Sequence, residues 1–475
     1  MTMAEGGDGT ASPVAGSFRD PSNRVYQANG RILRGLDELS ARHFSDLVQT
    51  PFYQLWEKKG WVVSTTIADD DMAQSICADG WFQVIEHEPV PVVTYPYEWT
   101  FSMLKEAAVR QLEMLLDAVE HDWLFKDSSA YNMQWVGNRL VFIDMPSLVP
   151  RTDDAPWLGY RQFCMMYLIP LLMKAHLGID HVPLLRSNLD GVTPVEAAKS
   201  FRGLSRFKSG VMTHVLLQAR LESHIAAKER DVAEAKDRKL QKQSKTALLG
   251  MLQGLLRLVQ SLNAPVQHSD WSEYDDQNSY TDGELSEKEQ FVLSCVQQVD
   301  PVLVWDLGCN TGRYSRLCAA QGARVLAVDG DHDAAEKLYL RAKADSAITN
   351  ILPLVMNLSN PSPDQGWTGK ERTAFVDRSK PNLVLCLAVI HHMCLASNVP
   401  IDQFLQWVRG LESPVVLEFV HREDDMVIKL LKNKDEEFAS YNYQNFLSLI
   451  DQEFSIKARQ PLKGGLREVF FLMPK

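Results

Sequence analysis

No two cysteines in this chain form a CxxC pair. The seven lie at 77, 164, 295, 309, 318, 386 and 394. An odd number without framework spacing points to reduced thiols in a reducing compartment. Basic residues are in deficit: 49 Lys and Arg against 61 Asp and Glu give a formal net charge of -12. No cationic surplus exists to neutralise phosphates, so a nucleic-acid partner is not expected. A long apolar run is missing as well. The most apolar stretch, 163–172 (FCMMYLIPLL), contains Pro170 and is too short to span a bilayer. Residues 1–17 are rich in Gly, Ala, Ser and Thr and lack the apolar segment of a signal peptide, so 1–22 reads as a disordered tail. A cytoplasmic protein without membrane attachment is expected.

What is present is ordinary globular material. Hydrophobic residues are 45% and charged residues 23% of the chain, enough to build buried cores. At roughly 100–200 residues per domain, 475 residues suggest two to four domains. The pattern divides into the tail, an α+β region over 23–212, a helical linker over 213–265 and an α/β region over 266–475. In the first region, Val90–Tyr95 reads as a short buried strand and Leu140–Ile143 as another. Phe101–Glu120 has apolar residues at helical spacing, and Tyr160–Leu177 reads as a buried helix. Lys228–Lys245 alternates charges and reads as a solvated helix joining two domains, with a partner-binding helix as the alternative.

From 303 onward strands and helices alternate. Leu303–Trp305, Arg324–Val328, Leu352–Met356, Leu383–Val389, Val415–Phe419 and Val469–Met473 read as strands, with helices over Tyr314–Ala320, His332–Ala344 and Asp402–Arg409. Such alternation predicts right-handed βαβ units and a parallel, doubly wound sheet. The decisive segment is Val304–Ser315, VWDLGCNTGRYS, in which a buried strand runs through Asp306 into a turn with Gly308 and Gly312 and then a helix. Ligands cross the carboxyl ends of such strands, and glycines let the backbone approach them. The four-residue spacing of the glycines differs from the G-x-G-x-x-G that meets a pyrophosphate. A looser turn beside a carboxylate suits an ammonium group better. Seventeen residues beyond Gly312, the next strand ends at Asp329, whose carboxylate can accept two ribose hydroxyls, with Asp331 as a nearby competitor.

Asp306-Leu-Gly-Cys-Asn-Thr-Gly312 with Asp329 after the next strand resembles motifs I and II of the class I S-adenosylmethionine-dependent methyltransferases. The resemblance covers about 270–475 and implies a Rossmann-like methyltransferase sheet. It implies S-adenosylmethionine as cofactor, held by Asp306, Gly308, Asn310, Gly312 and Asp329. It also puts Asn357 where these enzymes often place an Asp facing the adenine amino group. In the loop that follows, Trp367 either lines a pocket or anchors the loop. His391 and His392 follow the fourth strand, where paired histidines occur in many small-molecule methyltransferases. One of them acts as base or substrate orienter, or merely fixes the turn. Glu418, His421 and Glu423 are further polar groups at that edge. A metal site from His391, His392, Glu418 and His421 has the right residue types, but the spacing does not compel it, so no metal is expected. Tyr274 and Tyr280, upstream of the domain, either close over the cofactor or pack on the linker. The expected reaction is methyl transfer to an oxygen or nitrogen of a small-molecule or glycan acceptor.

The N-terminal region carries a second pattern. Phe125–Ser147 holds Asp127 and Asn132, five apart, and then a strand ending in Asp144. These resemble the catalytic loop and metal-binding Asp of protein kinases and aminoglycoside phosphotransferases. Phe125 stands where that family often has His, Met145-Pro146 follow Asp144 in place of Phe-Gly, and no glycine-rich phosphate loop precedes them. The resemblance implies a degenerate kinase-like domain. A bifunctional protein with kinase-type phosphotransferase activity is one alternative, and an unrelated α/β domain is another. The two-part arrangement, with NSY before the domain and NPSPDQGW within it, is similar to bacterial nodulation-type methyltransferases.

Overall fold

The computed structural model describes residues 11–152, 154–228, 242–265, 282–432 and 438–475. An antiparallel sheet opens the fold, with strands β1 (Ser12–Pro13), β2 (Asn23–Ala28), β3 (Arg31–Leu36), β4 (Thr65–Ala68) and β5 (Gln83–His87) in the order β1-β2-β3-β5-β4. The segment expected as a tail is therefore structured from residue 11. Ser12 and Pro13 pair with Gln27 and Tyr26, and the Ser17 hydroxyl accepts the Val25 N–H at 2.8 Å. Helices α1 (Glu38–Leu47), α2 (Pro51–Lys59) and α3 (Asp71–Ala78) fill the connections.

Val90–Tyr95 forms no strand. Its Thr94 is instead gripped by Gln134, which accepts the Thr94 N–H at 2.9 Å and donates to the Thr94 carbonyl at 3.0 Å. Helix α4 (Phe101–Glu120) follows, started by Thr100, whose hydroxyl accepts the Met103 N–H. Two small antiparallel pairs come next: β6 (Trp123–Phe125) with β9 (Leu148–Pro150), and, between them in sequence, the hairpin of β7 (Met133–Val136) and β8 (Arg139–Phe142). Then come α5 (Tyr160–Phe163), α6 (Ile169–Leu177), α7 (His181–Ser187), α8 (Pro194–Ser200), α9 (Leu217–Lys228) and α10 (Lys245–Ser261). Most of Lys228–Lys245 lies outside the described residues. Helix α10, in the C-terminal part of the expected linker, packs one face inward: Leu248, Leu252, Leu255 and Val259 are buried in the same core as α4.

The C-terminal part begins with α11 (Asp282–Val299). Strands β10 (Leu303–Leu307), β11 (Arg324–Asp329), β12 (Ile351–Val355), β13 (Leu383–Cys386), β14 (Val415–Val420), β15 (Phe454–Pro461) and β16 (Arg467–Pro474) form one sheet, ordered β12-β11-β10-β13-β14-β16-β15. Helices α12 (Arg313–Ala320), α13 (His332–Ala344), α14 (Ile401–Gly410), α15 (Asp425–Leu431) and α16 (Tyr443–Glu453) connect them. Strands β10 to β14 are parallel, as the alternation predicts. The last two are not: β16 runs antiparallel to β14, and β15 antiparallel to β16. Only five residues separate β15 from β16, too few for a crossover, so the pair must turn back as a hairpin.

The two parts share one continuous apolar core that includes Trp135 on one side and Tyr339 on the other, in edge contact at 5.5 Å. Polar bonds lock the same seam. Arg378 donates to both oxygens of Glu98 at 2.7 and 2.5 Å, with both side chains buried. The His332 ring accepts the Phe101 N–H at 3.1 Å. Among the described residues, no helix is long and apolar enough to cross a membrane.

Candidate functional site

Asp306 sits in the centre of the sheet, opposite Ala327 of β11 and Leu385 of β13. Its carboxylate accepts the Ser315 hydroxyl of α12 at 2.5 Å. Burial, partly countered by Ser315, pushes its pKa up to about 6. Beyond it the chain folds tightly against β11: the Gly308 and Cys309 N–H groups both donate to the Val328 carbonyl, at 2.8 and 3.0 Å. Gly308, Asn310 and Gly312 all have positive φ (75°, 50° and 81°). A side chain at Gly308 would meet Val389 at 2.4 Å, and one at Gly312 would meet Leu338 at 2.3 Å. The turn thus needs glycine for its own packing as well as for any ligand. Asn310 tolerates the left-handed conformation as asparagine often does.

Asp329 faces this turn. Its two oxygens accept the Asn310 N–H at 2.7 Å and the Asp331 N–H at 2.8 Å. Burial raises its pKa to about 6 despite these bonds. Each oxygen keeps further lone-pair capacity, since a carboxylate accepts about four bonds. Asp331 is committed elsewhere, capping α13 through the Asp333 and Ala334 N–H groups. Asn357 is exposed, and its amide oxygen accepts both the N–H and the hydroxyl of Ser359, at 2.9 and 2.8 Å. The Trp367 side chain is 71% exposed, and the loop before it is held by Arg186, which donates to the Asn360 and Pro361 carbonyls at 2.8 Å each.

At the neighbouring edge, β13 ends at Cys386, three residues earlier than the apolar run predicts. Ala388 takes a φ of 56°, and the chain enters a helical turn carrying His391 and His392. The rings lie 4.0 Å apart. His391 is buried, its Nδ1 has no partner among the described residues, and burial drives its pKa well below the ordinary value. Burial, with Arg467 nearby, lowers His392 to about 4. Both imidazoles are therefore neutral near pH 7. Glu418 is fully buried and pairs with Lys288 of α11 at 2.5 Å, with Arg467 at 3.8 Å. Arg467 in turn donates to Asp424 at 2.8 Å. The cations take up Glu418. Among the described residues, the side-chain ligand atoms of His391, His392, Glu418 and His421 form no converging metal group. Tyr274 and Tyr280 lie outside the described residues.

One cluster does have the composition of a metal site: Asp180, His181 and His332. The hydrogen bonds disqualify it. His332 Nε2 accepts the Phe101 amide, so a neutral ring carries its proton on Nδ1. Lys174 donates to Asp180 at 3.2 Å, placing an ammonium beside any cation. Of the two rings, only His181, whose Nε2 donates to the Trp99 carbonyl at 3.0 Å, keeps a lone pair, on Nδ1.

No family model matches the chain. It is 34% identical over 460 residues to nodulation protein NoeA of Rhizobium meliloti (strain 1021), covering 96% of this chain and 95% of that one. The chain belongs to the NoeA family. Solved structures similar to part of it include magnesium protoporphyrin IX methyltransferase (ChlM) from Synechocystis PCC 6803 with bound SAH. That match is 16% identical, covers 43% of this chain and 93% of that one, and has a TM-score of 0.30. N-methyltransferase NodS from Bradyrhizobium japonicum WM9 is 10% identical, covers 41% and 99%, and also has a TM-score of 0.30.

In this NoeA-family chain the N-terminal polar residues also converge. Asn132 donates to Asp127 at 3.0 Å and to Asp144 at 3.2 Å. Burial and the Asp144 charge push Asp127 up to about 7. Arg34 of β3 was not singled out in the sequence, yet it forms an ion pair with Asp144 and donates to the Ile143 carbonyl at 3.3 Å. Lys288, Ser315, Arg467 and Ala388 were missed too. Ser315 alone had a local signal, standing in the first turn of the helix after the glycines.

Proposed function

We propose that this chain is a methyltransferase that uses S-adenosylmethionine. The observation that carries the reading is the meeting of Asp306, the Gly308–Gly312 turn and Asp329 at the carboxyl edge of the central strands. Two carboxylates suit an ammonium and a pair of hydroxyls, and they would repel a pyrophosphate. Asp329 would accept the ribose hydroxyls, and Asp306, fixed by Ser315, would lie on the ammonium side of the turn. Asn310 and the two glycines shape the approach, and Asn357 and Tyr280 remain proposed contributors at the nucleoside and at the mouth. When bound, the cofactor would supply a methyl group on a sulfonium, which leaves as the neutral thioether S-adenosylhomocysteine. The chain's own contribution is to hold an acceptor oxygen or nitrogen in line, about 3–3.5 Å from that methyl. A neutral His392 can orient an acceptor hydroxyl or amine and take its proton late in the transfer. The acceptor proposed is a small molecule or glycan. Labelled S-adenosylmethionine, incubated with the protein and cell extract, should yield a labelled non-protein product. Absence of any labelled product together with absence of cofactor binding would reject the reading.

A kinase-type activity in the N-terminal part is the second reading, favoured by the convergence of Asp127, Asn132 and Asp144. Against it stands Arg34, which already supplies Asp144 with a positive partner.

A further inference from the structure

A cavity of about 410 Å³ opens where the two parts of the chain meet. One wall is Gly330, Asp331 and Val355, at the carboxyl ends of β11 and β12 and next to Asp329. The facing wall comes from the N-terminal part: Asp180, Val182 and Pro183 at the start of α7. In an open α/β sheet this edge is where a nucleotide-like ligand is expected. Here the second wall is not part of the α/β sheet region at all. We propose that the α6–α7 corner encloses the nucleoside end of the cofactor, so that the N-terminal part sets both cofactor affinity and the choice among adenine compounds. This rests on the methyltransferase reading and extends it to residues that reading does not need.

Charge supports the assignment. The cavity is lined by three carboxylates, Asp180, Asp331 and Asp333, and by one ammonium, Lys174, already hydrogen-bonded to Asp180 at 3.2 Å. His332 adds no positive charge while its Nε2 accepts the Phe101 amide. A net negative chamber accepts a ribose and an uncharged base but opposes a phosphate through like-charge repulsion. Val182, Pro183 and Val355 supply apolar contact for a base. Gly330 is exposed, lacks a positive φ, and an added Cβ there would meet nothing closer than Asn357 Cα at 3.7 Å. The protein itself therefore does not require that glycine. A ligand lying against it would.

The test is calorimetry on the full chain with S-adenosylhomocysteine, adenosine and ADP. Val182→Trp and Pro183→Trp alter partly or fully exposed positions and should leave the unfolding temperature near that of the wild type. Each should weaken S-adenosylhomocysteine binding about tenfold or more, as overfilling a packed space does. Gly330→Ala should weaken it as well. Adenosine should displace S-adenosylhomocysteine, and ADP at equal concentration should not. If the wild type binds S-adenosylhomocysteine and both tryptophan variants bind it equally well, the N-terminal wall is refuted while the methyltransferase reading stands. If ADP competes as well as adenosine, the electrostatic selection is refuted. If the wild type binds no S-adenosylhomocysteine, the underlying reading has failed, and this inference goes with it.

Discussion

The Asn310 amide donates to Asp329 across 2.7 Å, tying the glycine turn to the end of the next strand. Because Asp329 is raised to about 6 and Asp306 likewise, both protonate within an accessible pH range. Ribose hydroxyls and an ammonium bind the ionised carboxylates, so affinity for S-adenosylhomocysteine should be full above about pH 7 and fall below pH 6. With one group required ionised, the loss approaches about tenfold per pH unit, and two groups steepen it. Calorimetry from pH 5 to 8 checks this. A flat profile would mean that neither carboxylate touches the ligand.

Asp329→Ala should cost about 1–3 kcal/mol of cofactor affinity through lost charge-assisted bonds. The variant also frees the Asn310 amide, so a control is needed. Asp329→Asn keeps one acceptor and should fall between wild type and alanine.

How far the sequence discloses this edge depends on the range of the interaction. Phe101–Glu120 and His332–Ala344 are legible to the residue, because apolar periodicity coincides with a capping Thr100 or Asp331. Asp306 and Asp329 are legible because each ends a short apolar run beside glycine. The end of β13 is not, since the turn after Cys386 is as buried and apolar as the strand. The first sheet is missed because its strands mix buried and exposed positions irregularly, as in β2. The pairings of Lys288 with Glu418 and of Arg34 with Asp144 span 130 and 110 residues, and no local spacing encodes them.

His392→Ala should leave cofactor affinity nearly intact and reduce turnover at saturating cofactor. Since His392 lies near 4, turnover should show no titration between pH 6.5 and 8 that the alanine variant removes. A wild-type limb near pH 6.5 that vanishes in His392→Ala would mean that the ring ionises there, contrary to its burial.

The seam between the two parts makes a mechanical prediction. Arg378 and Glu98 are both buried, and removing one leaves an uncompensated charge, typically a loss of 3–5 kcal/mol. Arg378→Ala should lower the urea midpoint by a corresponding amount. With a shared core, the wild type should unfold in one transition. Two well-separated transitions would show that the halves fold independently.

Arg34 decides what the N-terminal cluster does. Its guanidinium sits on Asp144, and Asn132 ties Asp144 to Asp127, so Asp144 already has a positive partner without a metal ion. Phosphoryl transfer depends on positioning phosphates and Mg²⁺, and no glycine-rich loop serves that purpose among the described residues. The full chain with ATP and Mg²⁺ should therefore release no phosphate above background. Arg34→Ala should destabilise the fold by about 3 kcal/mol, because it strands a largely buried carboxylate. The double replacement Asp127→Asn, Asp144→Asn should retain cofactor binding, although the parts touch, since neither residue lines the nucleoside cavity. ATP turnover that the double variant abolishes would reverse the assignment and make the chain a phosphotransferase joined to a methyltransferase.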